Sequence, residues 1–233
     1  MNKNKVYRYT ADTLMSDLIC DHYDLLLVIT RFGIALGCGE QSIREVCDKH
    51  NVHTPTLLAV INAVANHVTS VEKSDLEQLS PLALIDYLKR SHHYFLDYRL
   101  PLIREQLHKA IEGGPRDIVL LINRFFDEYV DEVHKHMGYE DKTVFPYVTK
   151  LVNQSEDLSN YHIDIFSKRH DKIEAKISEL KNILIKYYPG DSGYGLTAVL
   201  HEIFSTEEDL ATHNFIEDNL FIPLIRKMEI NNA

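Results

Sequence analysis

Several protein classes are excluded by what this chain has little of. Three cysteines, Cys20, Cys38 and Cys47, form no CxxC pair and leave one thiol over if two join. That argues against a disulfide scaffold and for a reducing, cytoplasmic setting. Nine glycines, seven prolines and no low-complexity tract favour long regular elements over many short strands joined by turns. Basic residues are outnumbered 25 to 35 by acidic ones, and the net charge of −10 provides no concentrated basic face for nucleic acid. The most apolar run, Leu25 to Cys38, is interrupted by Arg31 and is too short to span a bilayer, so no membrane partner is expected. Near the N-terminus, Lys3 and Lys5 lead into Tyr7-Arg8-Tyr9-Thr10 and not into an apolar stretch, so no signal peptide is expected either.

What remains is ordinary for a globular protein with a sizeable core: 233 residues, 45% hydrophobic and 26% charged. The unusual feature is 13 histidines, the side chain most often found on metals.

Helical spacing and capping signals divide the chain. Leu14, Leu18, Leu25 and Ile29 predict a helix over 12–31, which Gly33 and Gly37-Cys38-Gly39 end. Ser42 with Glu45 three residues on forms a capping box for a short helix. Thr54-Pro55 then opens a helix carrying Leu57, Leu58, Ile61, Val64, Ala65 and Val68 on one stripe. These elements define a small three-helix N-terminal domain, residues 1–69, and the polar stretch 70–79 reads as a linker. Ser80-Pro81 starts a long helix that Gly113-Gly114-Pro115 ends near Glu112. Further helices are expected over 116–152, with a kink at Pro146, over 160–187 and over 194–228. The fold class is therefore all-α, with an antiparallel up-down-up-down four-helix bundle at 80–233.

One motif is written twice. His136, Glu140, Asp141 and Pro146 match His213, Glu217, Asp218 and Pro223, each pair 77 residues apart, as H-x-x-x-E-D-x-x-x-x-P. A histidine stands 43 residues before each copy, His93 and His170. Residues four apart share a helix face, so His136 points with Glu140 and His213 with Glu217. A duplicated helical hairpin would bring four imidazoles and two carboxylates together at mid-bundle. That set suits two metal ions bridged by two carboxylates, iron ahead of manganese or zinc. A single HxxxE on a helix is most often a surface ion pair; two copies with matched upstream histidines are not explained that way. Glu132 and Asp209, one turn before His136 and His213, are the acids expected to hold the imidazoles or move protons. His92 adjoins His93 but is turned about 100° away on a helix, and its spacing to His170 breaks the common offset, so His93 is preferred.

With these residues in view, 80–228 resembles the hemerythrin-like HHE cation-binding bundle, and more specifically the di-iron proteins that repair iron–sulfur clusters (the RIC family). The match rests on His93, His136, Glu140, His170, His213 and Glu217, on Leu84-Ile85-Asp86, and on Leu100-Pro101. Phe32-Gly33-Ile34, Gly39, Gln41, Ser42, Ile43 and Leu57-Leu58 resemble that family's small N-terminal domain. Where the family has a Cys-Cys-Gly-Gly turn, this chain has Leu36-Gly37-Cys38-Gly39, so an intramolecular vicinal dithiol is ruled out and Cys38 alone could act as a thiolate. Cys20 and Cys47 are expected in the core. Glu174 occupies the position of a fifth histidine in oxygen-carrying hemerythrins, which counts against reversible oxygen carriage and adds a further acid around the site.

The resemblance implies a cytoplasmic protein with two non-haem iron ions, oxo- or hydroxo-bridged. It would supply iron to apo iron–sulfur proteins or to ones damaged by nitrosative or oxidative stress. An oxygen- or nitric oxide-binding sensor is the alternative, and a di-iron enzyme reducing nitric oxide or peroxide a third reading, so enzyme status stays open. Oligomeric state is open too, a homodimer included.

Overall fold

The computed structural model describes residues 8–66, 76–154, 161–166, 171–190 and 193–231. The expected all-α character holds: among the described residues there is no strand, and one isolated bridge, Leu14 with Ser42, is the nearest approach to a sheet. The chain divides into two compact units, one of Met1–Arg90, Val148–Leu158 and Phe215–Ala233, the other of Ser91–Tyr147 and Ser159–Asn214.

In the first unit, α1 (Met15–Asp21), α2 (Leu25–Arg31), α3 (Ile43–His50) and α4 (Thr54–Asn66) come first. The single helix expected over 12–31 is two. His22 leaves helical geometry at φ −140°, and its ring, 3% exposed, is set edge-on to Tyr9 at 6.0 Å. Burying that ring takes the chain out of the helix, which the spacing of the leucines does not reveal. The capping box is present: Ser42 N–H donates to Glu45 Oε2 at 2.8 Å and Glu45 N–H donates to Ser42 Oγ at 3.3 Å. Met15, Leu18, Leu25, Ile29, Ile43, Leu57, Val60 and Ile61 form the interior, all fully buried. Gly33 sits at φ +78°, a left-handed conformation that side chains rarely adopt, so the turn after α2 favours glycine there.

Longer helices follow. The first runs through α5 (Pro81–His93), a π-helical segment (Tyr94–Arg99) and α6 (Leu100–Ile111). The next runs through α7 (Arg116–Tyr139), a second π segment (Glu140–Val144) and α8 (Phe145–Val152). After a 3₁₀ turn (Ile163–Ile165) comes α9 (Asp171–Tyr187). The helix expected from 160 is therefore described as regular only from Asp171. The last run is α10 (Gly193–Ile216), a third π segment (Glu217–Phe221) and α11 (Ile222–Asn231). Ser80 caps α5 by accepting from Ala83 N–H at 3.2 Å, as the Ser-Pro signal implies. Most of the expected linker, residues 70–75, lies outside the described residues.

In the second unit α7 packs against both α6 and α9. Its core joins Phe95, Leu100, Ile103, Phe126, Tyr129, Leu180 and Ile203. Arg99, mostly buried, pairs with Glu202 and donates from Nε to Thr206 Oγ1 at 2.9 Å, so its charge is compensated inside the unit.

Candidate metal centre

Three histidines and two glutamates meet in the interior. His136 and Glu140 lie one turn apart on a helix, and His136 Nε2 is 2.8 Å from Glu140 Oε1. The other oxygen, Oε2, is 2.9 Å from Nε2 of His92, on a different helix. Glu140 thus faces one imidazole with each oxygen. His213 brings its ring to 5.2 Å from that of His92, centroid to centroid. Glu217 follows His213 by one turn, and donor atoms of His92, Glu140, His213 and Glu217 all lie within 4.8 Å of one another. Glu140, His213 and Glu217 are 0% exposed, His92 2% and His136 7%.

Aromatic rings wall the cluster. Phe145 stacks on His92 at 5.5 Å, Phe166 stacks on His136 at 6.1 Å, and Phe95 meets His213 edge-on at 6.0 Å. These rings keep water away and lower the local dielectric, which strengthens every charge interaction inside. His92 shows the effect. Burial works against its protonated form, but hydrogen bonds to Asp141 (Nδ1 to Oδ1, 3.1 Å) and Glu140 outweigh it and raise its pKa to about 9.

The donor set fits a metal. Two carboxylates with no exposure are costly unless cations face them. A mixed imidazole and carboxylate set is what first-row metals such as iron accept.

The placement of individual residues differs from the sequence reading at one key position. His93 points to solvent: its side chain is 79% exposed, and Nδ1 is 2.6 Å from Asp97 Oδ2 in a surface pair. His92 takes the interior place. It follows Leu84 by eight residues and Leu88 by four, both 0% exposed, so it continues the buried stripe of α5 while His93 is rotated off it. That stripe was the available signal. The common offset of 43 misled because it crosses a loop, and loop length carries no information about which residue faces inward. Asp141, the D of the repeated motif, pairs with His92.

His136, Glu140, His213 and Glu217 are buried, each histidine one helical turn before its glutamate. His170 lies outside the described residues, as does the side chain of Glu174. Glu132 is half-buried and 2.9 Å from Lys135 Nζ; Asp209 is half-buried one turn before His213. Cys38 is half-buried in a turn between Gly37 at φ +91° and Gly39 at φ +56°, with its thiol directed at the Ala35 carbonyl 3.7 Å away. Cys47 is buried as expected, and burial raises its pKa. Cys20 is exposed, against the expectation that it would be core.

The chain belongs to the hemerythrin HHE cation-binding domain family, whose model matches residues 83–225. It is also similar to a curated protein, the iron–sulfur cluster repair protein ScdA of Staphylococcus haemolyticus. The two are 20% identical over 220 residues, covering 91% of this chain and 96% of that protein. Among the described residues no helix is long and apolar enough to cross a membrane.

Proposed function

We propose that this protein maintains iron–sulfur clusters by supplying iron held at a His/Glu centre, and that damaged or apo iron–sulfur proteins are its targets. The observation that carries the reading is Glu140, buried, with an imidazole from a different helix close to one oxygen and His136 close to the other. Similarity to a cluster repair protein along nearly the whole chain supports the same reading.

His92, His136, Glu140, His213 and Glu217 would hold the metal, with His170 completing the set and the two glutamates serving a pair of iron ions. Bound there, iron would provide a redox-active, releasable ferrous store. The protein's own part is to orient and exclude. Asp141 accepts the Nδ1 proton of His92, which fixes that ring and leaves Nε2 as its ligating nitrogen. Phe95, Phe145 and Phe166 keep water from the donors. Cys38 is the candidate thiol for handing iron on, since its glycine turn leaves it partly accessible.

The test is anaerobic purification, metal analysis and transfer of iron to an apo iron–sulfur protein. About two irons per chain, with cluster activity restored in the acceptor, is the expected result. A chain that takes up less than one iron, or one that keeps its iron in the presence of the acceptor, overturns the reading.

A further inference from the structure

The described residues contain three π-helical segments, and a proline follows each at the same spacing. Leu100 N–H donates to Phe95 O, Phe145 N–H to Glu140 O, and Ile222 N–H to Glu217 O, each bond spanning five residues. The next residues are Pro101, Pro146 and Pro223. The remaining prolines, Pro55, Pro81, Pro115 and Pro189, stand at helix starts or in loops.

The proline is the physical reason for the wide turn. In continuous α register, residue 146 would donate to the carbonyl of Lys142. Pro146 has no N–H to give, and its ring would press on that carbonyl. One extra residue in the turn removes the conflict, and such bulges collect at functional sites. Pro223 repeats the relation with Asn219.

An extra residue also turns the two halves of a helix by about 100° relative to each other. Phe145 lies just past the extra residue and stacks on His92 at 5.5 Å. In continuous α register its ring would be turned by about 100° from that place. In two of the three segments the carbonyl that accepts the five-residue bond belongs to a carboxylate-bearing residue of the cluster, Glu140 or Glu217.

We propose that Pro146 and Pro223 are positioning residues for the metal centre: each holds the π turn that starts at Glu140 or Glu217 and sets how the helix beyond that carboxylate closes on the cluster. Their recurrence in both copies of the motif is then part of the site itself, which rests on the metal-centre reading above.

The test compares Pro146→Ala, Pro223→Ala and the double variant with the unaltered chain. Two quantities are read: thermal unfolding of the metal-free protein, and anaerobic ferrous ion titration. Thermal unfolding shows whether the metal-free variants remain folded at the temperature of the titration. In variants that do, affinity for ferrous ion should fall tenfold or more. Affinity within twofold of the unaltered chain overturns the proposal.

A crystal structure of metal-free Pro146→Ala decides independently of metal. Return of residues 140–146 to α register supports the proposal, and a retained π turn overturns it. If the unaltered chain binds no ferrous ion, the functional reading fails while this backbone comparison still decides the role of the proline.

Discussion

Glu140 and His92 are close partners although they belong to different helices: Oε2 lies 2.9 Å from Nε2, and both side chains are buried. Glu140 also faces His136, so one carboxylate links two helices. Replacing it with glutamine keeps the shape and removes the charge. Glu140→Gln should lower ferrous affinity at least tenfold and bring the His92 pKa down from about 9. Calorimetric titration and histidine NMR check the two halves separately. Unchanged affinity would remove Glu140 from the ligand set.

The neighbouring histidines make a sharp pair of variants. His92→Ala should strip the protein of most of its metal, whereas His93→Ala, at a side chain 79% exposed, should retain it. Metal analysis after anaerobic purification is sufficient. The opposite pattern would restore His93 as the ligand.

The pH dependence of the metal-free protein follows from His92. Its pKa is raised from 6.5 to about 9 on folding, so the folded state binds the proton more tightly than the unfolded state. The stability this adds is fully present below pH 6.5 and is lost as pH rises through about 9. The amount at stake is on the order of a few kcal/mol, one pKa unit being worth ~1.4 kcal/mol. Denaturant unfolding of metal-free protein at pH 6.5 and 9.5 should show the decline, and His92→Ala should flatten it. The same proton must leave before Nε2 can ligate, so ferrous affinity should climb with pH up to about 9.

Cys38 separates storage from delivery. Cys38→Ser should leave metal content unchanged and slow iron transfer to an apo iron–sulfur protein several-fold. Transfer at the original rate would show that delivery needs no thiol.

A control on the N-terminal unit comes from its capping box. Ser42→Ala removes the side-chain acceptor for Glu45 N–H and should cost about 1 kcal/mol of stability. Ferrous affinity should not change. A loss of affinity in this variant would show that the cap also serves the site.

The repeated motif made most of the centre legible from sequence. His136 with Glu140, and His213 with Glu217, are fixed by a spacing of four on one helix, and helix geometry makes that spacing a statement about space. The capping box at Ser42 and the Ser80-Pro81 start are local in the same sense. The division of 12–31 into two helices was not legible, because His22 is buried against Tyr9, a residue outside that stretch of helix. Nor was the exposure of Cys20, which depends on what packs against α1.

By itself the sequence determined the all-α class, the duplicated His/Glu pairs and the prolines that follow them, because each depends on contacts within a few residues of one helix. Tertiary structure decided which of two adjacent histidines faces inward, which aromatic rings close over the donors, and that Asp141 holds His92. Those outcomes join separate helices, and the angle at which a side chain meets another helix is set by packing, which spacing along the chain does not encode.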